Sequence, residues 1–153
     1  MEISALSKVW LIALIACIAS SVMISQVNAQ TTIVSILPSS VTIDEVGQTV
    51  TVDLNITDVT NLYAYEIKIW YLNSIVNATQ AVRPSGHFLE PIGGENETNK
   101  FIAKWEIKND YNTTHGRIWI AFTLLAPQPA KSGSGILAKI TFIGLSVGQT
   151  PII

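Results

Sequence analysis

The stretch Tyr65-Glu66-Ile67-Lys68-Ile69-Trp70-Tyr71 alternates a large apolar residue with a charged or amphipathic one at almost every step. A period of two marks a strand with one face in a core and one in water, because successive side chains leave a pleated backbone on opposite sides. Tyr65, Ile67, Ile69 and Tyr71 therefore point inward, and Glu66, Lys68 and Trp70 outward. Upstream, Val50, Val52, Leu54 and Ile56 alternate with Thr51, Asp53 and Asn55. Downstream, Phe101, Ala103, Trp105 and Ile107 alternate with Ile102, Lys104 and Glu106. Residues 117–125 are apolar on both faces. Their stronger core set is Ile118, Ile120, Phe122 and Leu124, which leaves Trp119, Ala121 and Thr123 outward. A strand face in water normally carries polar residues, so this outward face is predicted to be covered by something.

Turn signals separate these patterns. Residues 33–37 form an apolar run stopped by Pro38-Ser39-Ser40, and residues 41–43 read as a short strand. Gly47 marks a turn, and residues 73–79 a turn leading to a short strand near Ala81. Pro84-Ser85-Gly86 breaks the chain before a short strand at Phe88-Leu89. Residues 93–99 are the most polar loop, 109–116 are rich in turn residues, and 127–135 read as a long loop before a strand over 136–143. No helical periodicity longer than a turn occurs after residue 30. Short strands with a turn signal every ~8–12 residues predict an all-β, antiparallel β-sandwich. Gln149-Thr150-Pro151-Ile152-Ile153 reads as the start of a further strand, so the domain over 30–153 is expected to lack its closing strand.

The front end has a different character. Lys8 supplies a positive n-region, residues 9–23 are mainly apolar, and Val27-Asn28-Ala29 offers a small-residue cleavage site before Gln30. Residues 1–29 read as a secretory signal peptide with a hydrophobic helix, which makes the remainder secreted or displayed at the cell surface. An uncleaved anchor is the alternative, although the apolar run is shorter than the ~20 residues of a membrane span. Leu14-Ile15-Ala16-Cys17 also fits a lipobox, in which Cys17 would carry a lipid. Cys17 is the only cysteine, so the exported domain has no disulfide. Four sequons accompany export, at Asn55, Asn77, Asn96 and Asn112. Asn96 and Asn112 fall in polar loops and best suit glycosylation.

Composition and motifs exclude much. A net charge of −2 with no basic cluster leaves no footprint for nucleic acid or an anionic membrane. The two histidines, His87 and His115, read as solvated turn residues. No G-x-S-x-G, H-E-x-x-H or phosphate-cradling glycine loop occurs. Asp44, Glu45, Asp58 and Asp110 lack the spacing of a calcium loop. No cofactor, no metal site and no enzyme activity are expected.

Three stretches carry a family resemblance. They are Val46-Gly47-Gln48-Thr49-Val50-Thr51-Val52, then Tyr63 through Tyr71 with Asn73-Ser74-Ile75-Val76-Asn77-Ala78, and Gly133-Ser134-Gly135-Ile136-Leu137-Ala138-Lys139-Ile140-Thr141-Phe142. Their order resembles the cohesin family, with its related carbohydrate-binding sandwich modules. The last stretch looks like the family's late Gly-x-Gly-x-Leu-Ala-x-Ile-x-Phe strand and is the most specific. Leu72-Asn73 stands where the family usually has Asp-Pro. The resemblance implies a jelly-roll (Ig-like) sandwich that binds dockerin modules, whose calcium lies on the partner rather than on this chain. It also implies that the three central strands neighbour each other on the partner-binding sheet.

The residues that would carry binding are then Glu66, Lys68, Trp70, Lys104, Glu106, Trp119, Ala121 and Thr123. Antiparallel geometry is expected to set Trp70 beside Trp119. Two outward tryptophans suit a protein hot spot, and equally suit stacking on a polysaccharide. A loop covering one or both, in a structural repeat with no ligand, is the third reading.

Overall fold

The computed structural model describes residues 31–93 and 99–153. The readings over residues 1–29, Cys17 among them, and the sequon at Asn96 lie outside the described residues.

The described chain runs β1 (Ile33–Leu37), β2 (Thr49–Leu62), β3 (Ala64–Leu72), β4 (Val76–Val82), β5 (Phe101–Lys108), β6 (His115–Leu124) and β7 (Lys131–Gly144). It contains no helix among the described residues. The strands form two antiparallel sheets, in the orders β1-β2-β7-β4 and β3-β6-β5. This is the sandwich that the alternation demanded. Val52, Leu54 and Ile56 of one sheet meet Ile69, Tyr71, Ile118 and Ile120 of the other in a single apolar core, completed by Leu137, Ile140 and Phe142. With no disulfide available, burial of this set supplies the main driving force for folding.

Tyr71 is 1% exposed, and its ring lies edge-on to Phe142 at 5.2 Å. Its hydroxyl donates to Asn109 Oδ1. Asn109 also accepts from Ala78 N–H at 2.9 Å and donates to Ala78 C=O at 3.1 Å, which ties β4 to the end of β5. Gly116 is the register partner of Tyr71, and a Cβ there would fall 2.3 Å from the Tyr71 ring. Only glycine lets the ring lie flat on β6.

The two sheets differ in regularity. β3–β6 and β5–β6 keep one register from end to end. β2–β7 shifts register three times, with left-handed backbone at Asp58 (φ 57°) and Asn61 (φ 55°). At the two left-handed residues β7 supplies hydroxyls to the backbone N–H groups. Asp58 N–H donates to Ser134 Oγ at 3.0 Å, and Asn61 N–H to Ser132 Oγ at 2.9 Å. Gly135 in the same stretch lies under Phe88, where a Cβ would sit 3.0 Å from the ring. The Gly-Ser-Gly spacing thus serves bulges and close packing.

Several expectations are corrected. Residues 41–43 form no strand; Ile43 instead packs against Gly144, where a Cβ would come within 2.8 Å of it. Phe88 and Leu89 lie in turns, anchored by Phe88 N–H to Ile136 C=O at 2.8 Å, and Leu89 is fully buried. The expected loop over 127–135 is shorter, because β7 already pairs with β2 from Lys131. At the far end, Ile153 exchanges two backbone hydrogen bonds with Trp70, at 2.8 and 3.1 Å, and Thr150 Oγ1 accepts from Leu72 N–H. Residues 150–153 therefore run antiparallel along the edge of β3. Between β1 and this edge a cleft of about 720 Å³ is lined by residues 38–43 and 146–152.

Candidate functional site: the outer face of the β3-β6-β5 sheet

Because the register is unbroken, outward side chains of this sheet form rows. Lys68, Trp119 and Glu106 make one row across the three strands. Glu66, Ala121 and Lys104 make the next, and Ala64, Thr123 and Ile102 the one beyond. On the other side of Trp119, Trp70, Arg117 and Lys108 complete the set. All eight residues picked from the sequence lie on this face. Trp70 stands opposite Arg117, however, not beside Trp119: the strands are offset by one row from the expected pairing.

Trp119 is the centre. The Lys104 ammonium lies 3.7 Å from its ring centroid and that of Lys68 5.4 Å, both within the range of cation–π attraction. Each cation is held by a carboxylate two residues along its strand: Lys68 to Glu66 at 2.8 Å, and Lys104 to Glu106 at 3.1 Å. Glu106 also takes Arg117 at 2.7 Å and Lys108 at 3.6 Å. The hydrogen bond from Lys68 holds the Glu66 carboxyl below its usual range, with smaller help from the Trp119 N–H and Lys104. The hydrogen bond from Lys104 does most to lower Glu106, aided by Arg117. Both stay ionised at any moderate pH. Trp119 Nε1 is buried, and its N–H faces Glu66 closely enough to favour the charged carboxylate.

Trp70 is placed differently. Tyr111, from the β5–β6 loop, packs edge-on to it with centroids 4.7 Å apart. The Arg117 guanidinium sits 4.3 Å from the Tyr111 ring and 6.0 Å from that of Trp70. Trp70 is therefore half-covered by its own domain. At the opposite end, Ala64, Glu66, Ile102, Lys104, Ala121 and Thr123 line a shallow depression of about 390 Å³. Ile102 is 61% exposed. Sequence reasoning passed over Ile102, Arg117 and Lys108. Strand parity already put Ile102 outward, and an aliphatic residue in a water-facing position was the available signal.

Four cations (Lys68, Lys104, Lys108, Arg117) face two carboxylates (Glu66, Glu106), so this face is positive on a chain whose net charge is −2. The outer face of the other sheet carries Thr51 and Thr141, hydrogen-bonded at 2.9 Å, and an Asp53–Lys139 pair at 2.7 Å. Its strands place no tryptophan there.

His87 overturns its sequence reading. It is 2% exposed, not solvated. Its Nδ1 accepts the Leu89 N–H at 3.2 Å, so Nε2 carries the proton and donates to the Tyr65 hydroxyl at 2.8 Å. Tyr65 in turn donates to Leu137 C=O at 3.0 Å. The ring packs on Phe122 at 4.5 Å. Burial, with the Arg83 charge nearby, lowers the His87 pKa to about 4. Burial also raises the Tyr65 hydroxyl well above its ordinary value. Both groups are uncharged and structural. No cluster of three or more His, Cys, Asp or Glu suited to a metal occurs among the described residues.

The class of protein this defines is a two-sheet sandwich with a cohesin-like fold. No protein-family model matches the chain, and no curated protein sequence matches it. Solved structures do. A type II cohesin–X–dockerin complex of Acetivibrio cellulolyticus matches over 80% of this chain and 76% of its own, at TM-score 0.57 and 19% identity. A type II cohesin domain from the cellulosome of that organism matches over 80% and 73%, at TM-score 0.55 and 16% identity. The second type II cohesin module of its adaptor scaffoldin ScaA matches over 83% and 71%, at TM-score 0.52 and 20% identity.

Proposed function

We propose that the chain is an exported, non-catalytic binding module that docks a dockerin-like protein on the outer face of its β3-β6-β5 sheet, within an assembly linked to polysaccharide binding or breakdown. The observation that carries this is the row-by-row lattice around Trp119. It is an aromatic anchor ringed by charge, on the one sheet whose register is unbroken. Aromatic residues dominate binding hot spots. The excess of cations favours an acidic partner surface and makes encounter salt-dependent. The cohesin-like fold supports the choice of partner, since the similar solved structures include a cohesin–dockerin complex. Any calcium in the pair belongs to the partner.

Glycan stacking on the same tryptophans is less well supported. The Lys104 ammonium occupies one face of Trp119, and Tyr111 covers part of Trp70. A sugar ring would have to displace both.

The test is binding of the purified 30–153 domain to a panel of calcium-loaded type I and type II dockerins, by calorimetry, and to insoluble cellulose and chitin by co-sedimentation. Dockerin binding that chelation abolishes and Trp119→Ala weakens supports the proposal. Retention on polysaccharide without any dockerin binding would replace it with the glycan reading. Neither would leave a structural repeat.

A further inference from the structure

We propose that Asn112 is the glycosylation site of the described domain, modified on Nδ2 by an oligosaccharide whose root lies at the rim of the docking face. Three sequons fall within the described residues, and the fold treats them differently. Asn55 lies on β2 and Asn77 on β4, both half-buried, each in a sheet with strands on either side or a neighbour at its back. Asn112 is exposed in the loop between β5 and β6, and so are its sequon partners Thr113 and Thr114.

The local geometry divides the Asn112 amide into a structural half and a free half. Its Oδ1 accepts Thr114 N–H at 2.9 Å and His115 N–H at 2.7 Å, and the Thr114 hydroxyl lies 3.1 Å away. The Asn112 backbone N–H donates to His115 C=O at 3.1 Å, and its C=O accepts from Asn73 Nδ2 at 3.2 Å. Among the described residues Nδ2 makes no hydrogen bond. Glycosylation replaces one Nδ2 hydrogen and leaves Oδ1 untouched, so the turn survives the modification. A glycan on the exposed amide also needs no burial.

The step is a transfer from a lipid-phosphate-linked oligosaccharide by a membrane glycosyltransferase. Asn112 Nδ2 forms a bond to the anomeric carbon, and the bond from that carbon to the lipid phosphate oxygen breaks. The displaced lipid phosphate leaves with the electron pair, and one Nδ2 proton passes to a base of the transferase. The preceding residue, Tyr111, packs on Trp70. A glycan rooted here shields the Trp70 end of the face and directs a partner toward Trp119 and the Ile102 depression.

The inference rests on the exported reading, and the experiment separates the two. The chain is secreted from a glycosylating eukaryotic host behind the host's own leader, and in parallel behind residues 1–29. Secreted protein is deglycosylated enzymatically in heavy-oxygen water, which converts each occupied Asn to labelled Asp, and peptides are mapped by mass spectrometry. The expected result from the host-leader chain is label at Asn112, retained in Thr114→Ser and lost in Thr114→Val. A wholly unlabelled Asn112 in that chain, or label confined to Asn55 or Asn77, overturns the proposal. Label with the host leader but no secretion behind residues 1–29 upholds the site and counts against the export reading alone.

Discussion

The β3-β6-β5 and β1-β2-β7-β4 sheets use the same alternation and the same core, yet they spend their outward positions differently. β6 pairs with both neighbours without a slip, so side chains from three strands stand in rows and charges meet across and along the sheet. β2 and β7 slip three times, and their polar side chains are drawn into repairing the backbone, as Ser132 and Ser134 do. A regular sheet can present a surface; a bulged one bends its strands and puts its hydroxyls to work internally. The difference teaches where to look for binding without recourse to any relative.

The sharpest way to break the comparison is at a glycine in each sheet. Gly116→Ala drives a methyl into the buried Tyr71 ring, which Asn109 and Phe142 hold in place. We expect a loss of about 3 kcal/mol or more, at the upper end of overpacking costs. Gly135→Ala meets the half-buried Phe88 at 3.0 Å, a looser approach than the 2.3 Å at Gly116, and should cost about 1 kcal/mol. Equal losses in urea titration would mean that the regular sheet is not the more rigid.

His87 gives a pH signature of nearly the same size. The folded protein keeps the imidazole neutral down to about pH 4, whereas the unfolded chain takes up a proton near the ordinary value of 6.5. Stability from this group is complete above about pH 6.5, falls as the pH drops toward about 4, and is constant below. The full span is about 3 kcal/mol. A His87→Gln variant should flatten the curve in that window. An unchanged slope would show that other groups produce it.

Smaller effects test the bulges. Ser134→Ala strips the acceptor from Asp58 N–H at an exposed position that water reaches, so its cost should be below about 1 kcal/mol. Asp58→Gly relieves a left-handed non-glycine residue and should be neutral within about 0.5 kcal/mol. A loss above 2 kcal/mol in either, by thermal unfolding, would show that the slips of register are fixed more tightly than the hydrogen bonds suggest.

Parity made the faces legible. Every outward residue named for β3, β5 and β6 is outward, because a period of two leaves no other choice once one residue is buried. Register was not legible: Trp70 stands opposite Arg117 because β3 and β6, which are not consecutive in the chain, pair with a long-range register that no local pattern encodes. His87 was misread because Pro84-Ser85-Gly86 signals a turn, and turns are usually wet. The neighbouring Phe88-Leu89 pair was the contrary sign, since a loop with apolar anchors must pack them somewhere. The depression beside Ile102 arises from small residues on two other strands, Ala64 and Ala121, and exists only once they are paired.

The measurement that bears most directly on the central claim is the affinity of a calcium-loaded dockerin for three proteins: the wild type, Trp119→Ala, and Thr141→Ala on the opposite face. Calorimetry should show Trp119→Ala weakened by about 30-fold or more, the loss expected of a hot-spot residue at ~2 kcal/mol. Thr141→Ala should bind as the wild type does. Equal binding by all three, with each variant folded, would contradict the assignment of the β3-β6-β5 face.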